Sequence, residues 1–302
     1  MNIIGRRKIW YSISAILILP GIIALFLWGL KFGIDFRGGT LIEVKYNQPT
    51  SVNQIREGLS QDNQKSLTIQ TTSAENSFLV RTAPITQEEH LKITEELKKA
   101  GENTEVRFET VGPTMSNDLK NKAIMALIVA SLAIICYVAF AFRQVPRPAS
   151  SWKFGVGAVI ALIHDLVFVI GVWAILGHFL GYEIDSLFIT GLLTIMGFSV
   201  HDTIVVFDRI RENLRKHPSL GFEENVNNSI IQTINRSLNT SLTVLIILSA
   251  LYFLGGESLR NFILLLLIGI TIGTYSSIFN AAPILVSWHG WSMSRLNKKN
   301  AS

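Results

Sequence analysis

The 302-residue sequence predicts a polytopic α-helical membrane protein, six transmembrane helices with an α+β domain on the outer side between helices 1 and 2. Three observations lead to that class. Only 16% of the residues are charged, whereas a soluble domain carries roughly 25%. The charges are unevenly placed, with long charge-free windows separated by loops rich in Lys and Arg, the pattern of a chain that crosses a bilayer repeatedly. One segment, residues 31–121, instead alternates apolar and polar positions with strand and helix periods. The net charge of +5 does not imply a nucleic-acid partner, because the excess sits in short loops beside apolar spans, where membrane topology requires it. The single cysteine, Cys136, lies within an apolar span. An intrachain disulfide and a cysteine metal cluster are therefore excluded.

The elements follow in chain order. A basic flank, Arg6 to Lys8, opens onto the first span, Ile9 to Leu30, and 22 uncharged residues separate Lys8 from Lys31. The run is too long for a signal peptide and no small-residue cleavage site follows, so it is expected to be a retained helix. The other spans are Ala123 to Phe142, Phe154 to Leu176, Leu187 to Phe207, Leu238 to Leu254 and Phe262 to Trp288. Each is long enough to cross a bilayer, which takes roughly 17–25 residues, and the sixth is long enough to tilt or to extend past it. The expected divisions are 1–30, N-terminus and first helix; 31–121, outer domain; 122–288, five-helix membrane domain; and 289–302, tail. Arg6, Arg7 and Lys8, then Arg143, Arg147 and Lys153, then Arg209, Arg211, Arg215 and Lys216, then Arg295, Lys298 and Lys299 all fall on one side of the spans. The positive-inside rule makes that side cytoplasmic, with both termini on it.

The outer segment reads as strand "TLIEVKY", helix "SVNQIREGLSQ", strand "SLTIQTT", strand "SFLVRTA", helix "TQEEHLKITEELKKA" and strand "TEVRFETV". Ile42, Val44 and Tyr46 mark one strand face. Ser51 with Gln54, and Thr86 with Glu89, have capping-box spacing. The order β-α-β-β-α-β is that of a ferredoxin-like module. It holds no His, Cys or carboxylate cluster at ligand spacing, and no enzyme is expected in it. Before the fifth span, "GFEENVNNSIIQTINRS" places Val226, Ile230 and Ile234 on one face of an amphipathic helix.

Ionisable residues inside the spans are the candidates for function, because an ionised side chain there costs several kcal/mol unless paired, hydrated or neutralised. Asp202 lies in "GFSVHDTIVVF", with Ser199 and Thr203 as neighbouring donors and His201 beside it. Arg236 enters the fifth span from the same side, followed by Asn239, Thr240 and Thr243 as a polar stripe. A carboxylate–guanidinium pair between Asp202 and Arg236 is expected. Displacing the Arg would switch the Asp between holding and releasing a proton. A proton relay and a static interhelical bridge both fit these residues. The third span carries a second pair, His164 and Asp165, near its centre. Neither His–Asp pair has the i, i+4 spacing of a helical metal site. Ser199 and His201 point about 200° apart on one helix and cannot form a dyad; Ser199 with His164 would be the only serine-protease arrangement. The glycines on the spans, Gly155, Gly157, Gly171, Gly191 and Gly197 among them, suit close helix packing.

Four segments, "FGIDFRGGT", "IALIHD", "GFSVHDTIVVFDRIREN" and "NRSLNTSLT", resemble the signature segments of the SecD/SecF family, on its SecF side, within the resistance–nodulation–division superfamily. The resemblance covers nearly the whole chain in order. It implies a subunit of the Sec protein-export machinery in the bacterial cytoplasmic membrane, working with SecD, the SecYEG channel and YajC on a translocating polypeptide in a lipid bilayer. It implies no enzyme activity and no cofactor, protons being the coupling ion. On it, Asp202 and Arg236 are the proton-coupling pair and Asp165 is a further relay group; Ser199, His201, Thr203, Asn239, Thr240 and His164 are expected as supporting polar residues from their positions in the spans. Position 201 is His where many relatives carry Asn, which weakens the case for a titrating group there. A half-size exporter of lipids or small hydrophobic molecules and a passive membrane scaffold are the alternatives.

Overall fold

The computed structural model describes residues 2–72, 75–143, 146 and 151–300. Arg147, counted above in a basic flank, lies outside these residues, as do residues 301 and 302 of the tail. The chain forms two compact units: a membrane unit of Met1–Lys31, Ala126–Glu183 and Leu187–Ser302, and an α+β module of Phe32–Met125 with Ile184–Ser186.

Six helical stretches are long and apolar enough to cross a membrane. After a 3₁₀ turn at Ile4–Arg6 they are α1 (Arg7–Leu27), α6 (Pro113–Ala141), α7 (Ser151–Leu180), α8 (Ser186–Lys216), α9 (Phe222–Leu254), and the run of α10 (Glu257–Ser276), a π-helical segment (Ser277–Ala281) and α11 (Ala282–Asn300). The helices differ from the expected spans at their ends. α1 stops at Leu27, before Leu30, where Gly29 turns to φ 67°. α6 begins at Pro113, a residue suited to a helix start because its missing N–H would have no intrahelical partner. α9 begins at Phe222 because its amphipathic flank has its own packing: Val226 and Ile230 are buried and Ile234 is half-buried. Apolarity locates the bilayer-crossing part of a helix, not where its hydrogen-bond ladder ends.

The membrane unit's core includes Phe142, Phe154, Phe207, Val206, Ile210 and Ile230. Phe142, Phe154 and Phe207 meet with ring centroids 5.0–5.9 Å apart. Ile3 and Ile4 are also buried, and their backbone N–H groups donate to Asn227 Oδ1 on α9 at 2.9 and 3.2 Å. α1 and α7 cross at paired glycines. A Cβ on Gly171 would lie 2.6 Å from Gly21 Cα, and one on Gly21 would lie 2.8 Å from Gly171 Cα.

The module contains α2 (Ile34–Arg37), β1 (Gly39–Tyr46), α3 (Val52–Gly58), α4 (Gln61–Ser66), β2 (Thr68–Thr71), β3 (Ser77–Thr82), α5 (Gln87–Lys99) and β4 (Asn103–Val111). Its sheet has the order β2-β3-β1-β4 with antiparallel neighbours, the ferredoxin-like arrangement. Ile42, Val44 and Tyr46 face the core with Ile55, Phe78, Val80, Ile93 and Leu97. Both capping boxes form, at Ser51–Gln54 and Thr86–Glu89. One element departs from expectation, since the helix read over "SVNQIREGLSQ" breaks after Gly58. Leu59 turns to an extended conformation with its side chain buried, and α4 starts afresh. The break is stabilised from α5, because Glu96 accepts from the Ser60 backbone N–H at 3.0 Å and from Asn63 Nδ2 at 2.8 Å. That partner is distant in sequence, so local pattern does not reveal it.

Candidate proton-coupling site

α8 carries Asp202 into the membrane unit's interior, 7% exposed. Its carboxylate Oδ2 accepts from Ser241 Oγ on α9 at 3.2 Å and from Thr274 Oγ1 on α10 at 3.4 Å. Thr274 also donates to Ser241 Oγ at 2.6 Å and to its own helix's Ile270 carbonyl at 2.9 Å. A hydroxyl has one proton to give, so Thr274 divides its proton among three acceptors, while the Ser241 proton goes to Asp202. One turn from Ser241 on the same face of α9, Ser237 Oγ is buried without a hydrogen-bond partner among the described residues.

Asp165 on α7 is fully buried, at 0% exposure, and far better satisfied. Its Oδ2 accepts from Ser199 Oγ on α8 at 2.6 Å and from Ser276 Oγ on α10 at 2.7 Å. Its Oδ1 lies 2.9 Å from His164 Nδ1. The other ring nitrogen, Nε2, lies 3.0 Å from Asn280 Nδ2. An amide nitrogen only donates, so Nε2 accepts, and the ring proton sits on Nδ1, donating to Asp165. Asn280 passes the network on to Ser14 of α1, 2.8 Å from its Nδ2. Thr203 bonds Ser277 Oγ at 2.9 Å, and Ser277 donates to the Ser199 carbonyl at 3.1 Å. Ser277 and Asn280 lie in the π-helical segment, whose widened turn re-aims side chains and is frequent at functional sites. At Gly273 the α10 backbone comes close to this group: a Cβ there would be 3.3 Å from Ser199 Cβ and 3.6 Å from Asp165 Oδ2.

The sequence-derived candidates therefore divide. Asp202, Asp165, His164, Ser199 and Thr203 meet in one interior region, but Ser199 and Thr203 serve Asp165 and the π segment rather than Asp202. The expected Asp202–Arg236 bridge is not made. Arg236, Asn239 and Thr240 lie on the exposed face of α9, and the buried stripe is Thr233, Ser237 and Ser241. Arg236 and Ser241 are five positions apart, about 140° around the helix, so Arg236 points away from the side on which Ser241 meets Asp202. His201 is likewise exposed, about 100° around α8 from Asp202. Both nitrogens of His164 are engaged by Asp165 and Asn280, so the Ser199–His164 pairing is absent. Among the described residues no group of three His, Cys, Asp or Glu is placed to hold a metal. Sequence reasoning missed Ser241, Thr274, Ser276, Ser277 and Asn280. In "TIGTYSSIFN" the i, i+3 and i, i+4 recurrence of Thr274, Ser277, Ser276 and Asn280 was the available signal.

Comparison with known proteins places these segments. Residues 92–291 match the family described as protein export membrane protein SecD/SecF, C-terminal, and residues 23–50 match the SecD/SecF GG motif. Protein translocase subunit SecF of Thermobaculum terrenum is 43% identical, the match covering 99% of this chain and 97% of that relative. Protein translocase subunit SecDF of Thermus thermophilus is 37% identical over 95% of this chain but only 38% of its own length. The crystal structure of SecDF from Thermus thermophilus, described as a translocon-associated membrane protein, superposes with a TM-score of 0.84 at 35% identity, covering 96% of this chain and 39% of that one. This chain thus spans about two fifths of the SecDF chain. With the GG motif, the membrane region and a full-length relative all in register, the chain belongs to the SecF family of protein-export membrane proteins.

Proposed function

We propose that this chain is a protein translocase subunit that, with a SecD partner, draws on the proton gradient to promote late-stage polypeptide export, and that Asp202 is its coupling carboxyl. The observation that carries the reading is the contrast between the two buried acids. Asp165 is held by its neighbour His164 and by hydroxyls from two other helices, which suits a fixed helix-to-helix tie. Asp202 has two long bonds, one of them from a hydroxyl that also serves other acceptors, and no cationic partner among the described residues, an arrangement that favours a neutral acid over a buried charge. A state in which a cation approached it would favour proton release. Arg236, which enters the fifth span from the same side, is the cation the sequence offers for that state, and its approach requires a rearrangement of α9 or of what packs on it. One proton crossing about 100 mV releases about 2.3 kcal/mol, enough to bias two states separated by a few kcal/mol.

The fusion of SecD and SecF in a relative supports a SecD partner. So does the polar stripe of Arg236 and Asn239, costly against lipid and therefore suited to a protein neighbour. We extend the reading to SecYEG and YajC as further partners and to the bacterial cytoplasmic membrane, with both termini cytoplasmic on the strength of the basic flanks. No chemical step and no cofactor are assigned; the proton is the coupling ion, and Asp165 with His164 supports rather than carries it. The test is export of a secretory protein in inverted membrane vesicles, with and without a proton gradient. Asp202→Asn and Arg236→Lys are expected to abolish the gradient-dependent part and leave the ATP-driven part. Undiminished gradient-dependent export in both variants would return Asp202 to a scaffold role.

A further inference from the structure

The segment "FGIDFRGGT" is built as a rigid turn with one outward product. Phe32 pairs with Ile184 in a parallel bridge, and the Gly33 N–H donates to the Ile184 carbonyl at 2.8 Å. α2 adds a single helical turn, after which Gly38 and Gly39 adopt φ of 75° and 134° to enter β1. A Cβ on Gly39 would lie 2.8 Å from the Thr82 carbonyl oxygen, so the second glycine is required by space as well as by φ. The turn presents the Asp35 carboxylate to Ser186. Oδ2 accepts the Ser186 backbone N–H at 2.8 Å, and the Ser186 hydroxyl donates to the same oxygen.

Ser186 is the first residue of α8. Its N–H is one of the four that an α-helix leaves without an intrahelical acceptor, and a carboxylate suits the positive end of the helix dipole. Asp202 lies sixteen positions further along the same uninterrupted helix, roughly 24 Å of rise. We infer that Asp35 is a positioning residue: through the Ser186 backbone N–H and hydroxyl it clamps the end of the Asp202-bearing helix. The inference rests on the proposed role of Asp202, but the clamp itself can be read without reference to protons.

The experiment uses the full chain in membranes with its SecD partner and combines hydrogen–deuterium exchange with the vesicle export assay. Two variants break the clamp from opposite sides. Asp35→Ala removes the acceptor. Ser186→Pro removes the donor N–H at a helix position where proline is well tolerated. Each is expected to raise exchange at residues 189–192, the first amides bonded within α8, by about tenfold through local opening, to leave β1–β4 unchanged, and to lose most gradient-dependent export. Combining the two should cost no more than either alone. Asp35→Asn, which keeps an acceptor, should retain most of both properties. Wild-type exchange at 189–192 in both clamp variants would overturn the clamp. Raised exchange with undiminished gradient-dependent export would overturn its positioning role. Asp202→Asn is run alongside: if it exports like wild type, the proton reading has failed, while the exchange result still decides the clamp.

Discussion

Exchanging the acid and the amide on either side of His164 should restore what each single change destroys. The ring donates from Nδ1 to Asp165 at 2.9 Å and accepts at Nε2 from Asn280 at 3.0 Å. In Asp165→Asn the new amide can still accept from Ser199 and Ser276 through its oxygen, but its NH₂ then faces the ring N–H. Moving the ring proton to Nε2 relieves that clash and creates the same one against Asn280. One buried donor is stranded in either case, at a cost of about 1–3 kcal/mol. Asn280→Asp alone places a second buried carboxylate beside the first, at about 3 kcal/mol or more. In the double variant the amide introduced at position 165 donates to Nδ1, the ring donates from Nε2 to the new carboxylate, and one acid remains. The double variant should therefore lie within about 1 kcal/mol of wild type, a coupling of about 3 kcal/mol or more, at or above the top of the about 0.5–3 kcal/mol seen for residues sharing a network. Unfolding free energies of the purified chain, from titration with a denaturing detergent and followed by tryptophan fluorescence, measure all four corners. Additivity within about 0.5 kcal/mol would refute the proton assignment on His164.

Two further predictions concern packing and pH. Gly171→Ala puts a methyl 2.6 Å from Gly21 Cα. Ordinary carbon contacts are about 3.5–4.0 Å, so α1 and α7 must separate by about 1 Å, and thermal unfolding in detergent should show a loss of about 1–3 kcal/mol. Adding Gly21→Ala should cost less than its own single effect, because the helices have already parted; full additivity would count against the contact. In the module, hydrogen bonds from the Thr86 backbone N–H and hydroxyl hold the Glu89 carboxyl below its ordinary 4.5. Burial would raise Glu96, but bonds from Asn63 and Ser60 outweigh it and hold that carboxyl low as well. Both folded values lie below the unfolded ones, so the stability they add is complete above about pH 4.5 and is lost as pH falls through the folded values. Glu89→Gln with Glu96→Gln should flatten the decline in melting temperature on the acid side of pH 4.5. A decline as steep as that of wild type would show that other groups carry it.

The architecture was legible because its determinants are local. A charge-free apolar window is long enough to cross a bilayer whatever surrounds it, and period-2 alternation with two capping boxes specifies the module's strands and helix starts. Asp202 and Asp165 were legible for the same reason, as acids where acids are costly. The broken helix at Leu59 was not, because its determinant is Glu96, supplied from another helix. Nor was the role of Asp35, whose partner Ser186 lies far along the chain.

Sequence alone therefore determined the class of fold, the order of the elements and which buried acids require an explanation. Tertiary structure decided which side chains those acids meet. An α-helix offers several polar stripes within one turn of each other, and spacing cannot say which of them a neighbouring helix covers. On α9 the Arg236 stripe was the more conspicuous, yet Thr233, Ser237 and Ser241 are the buried one. On the last span a π-helical segment shifts the register by which Ser277 and Asn280 reach inward. The rotation of a helix about its own axis is set by packing against its neighbours, and that is where Asp202 is separated from Arg236 and given Ser241 and Thr274 instead.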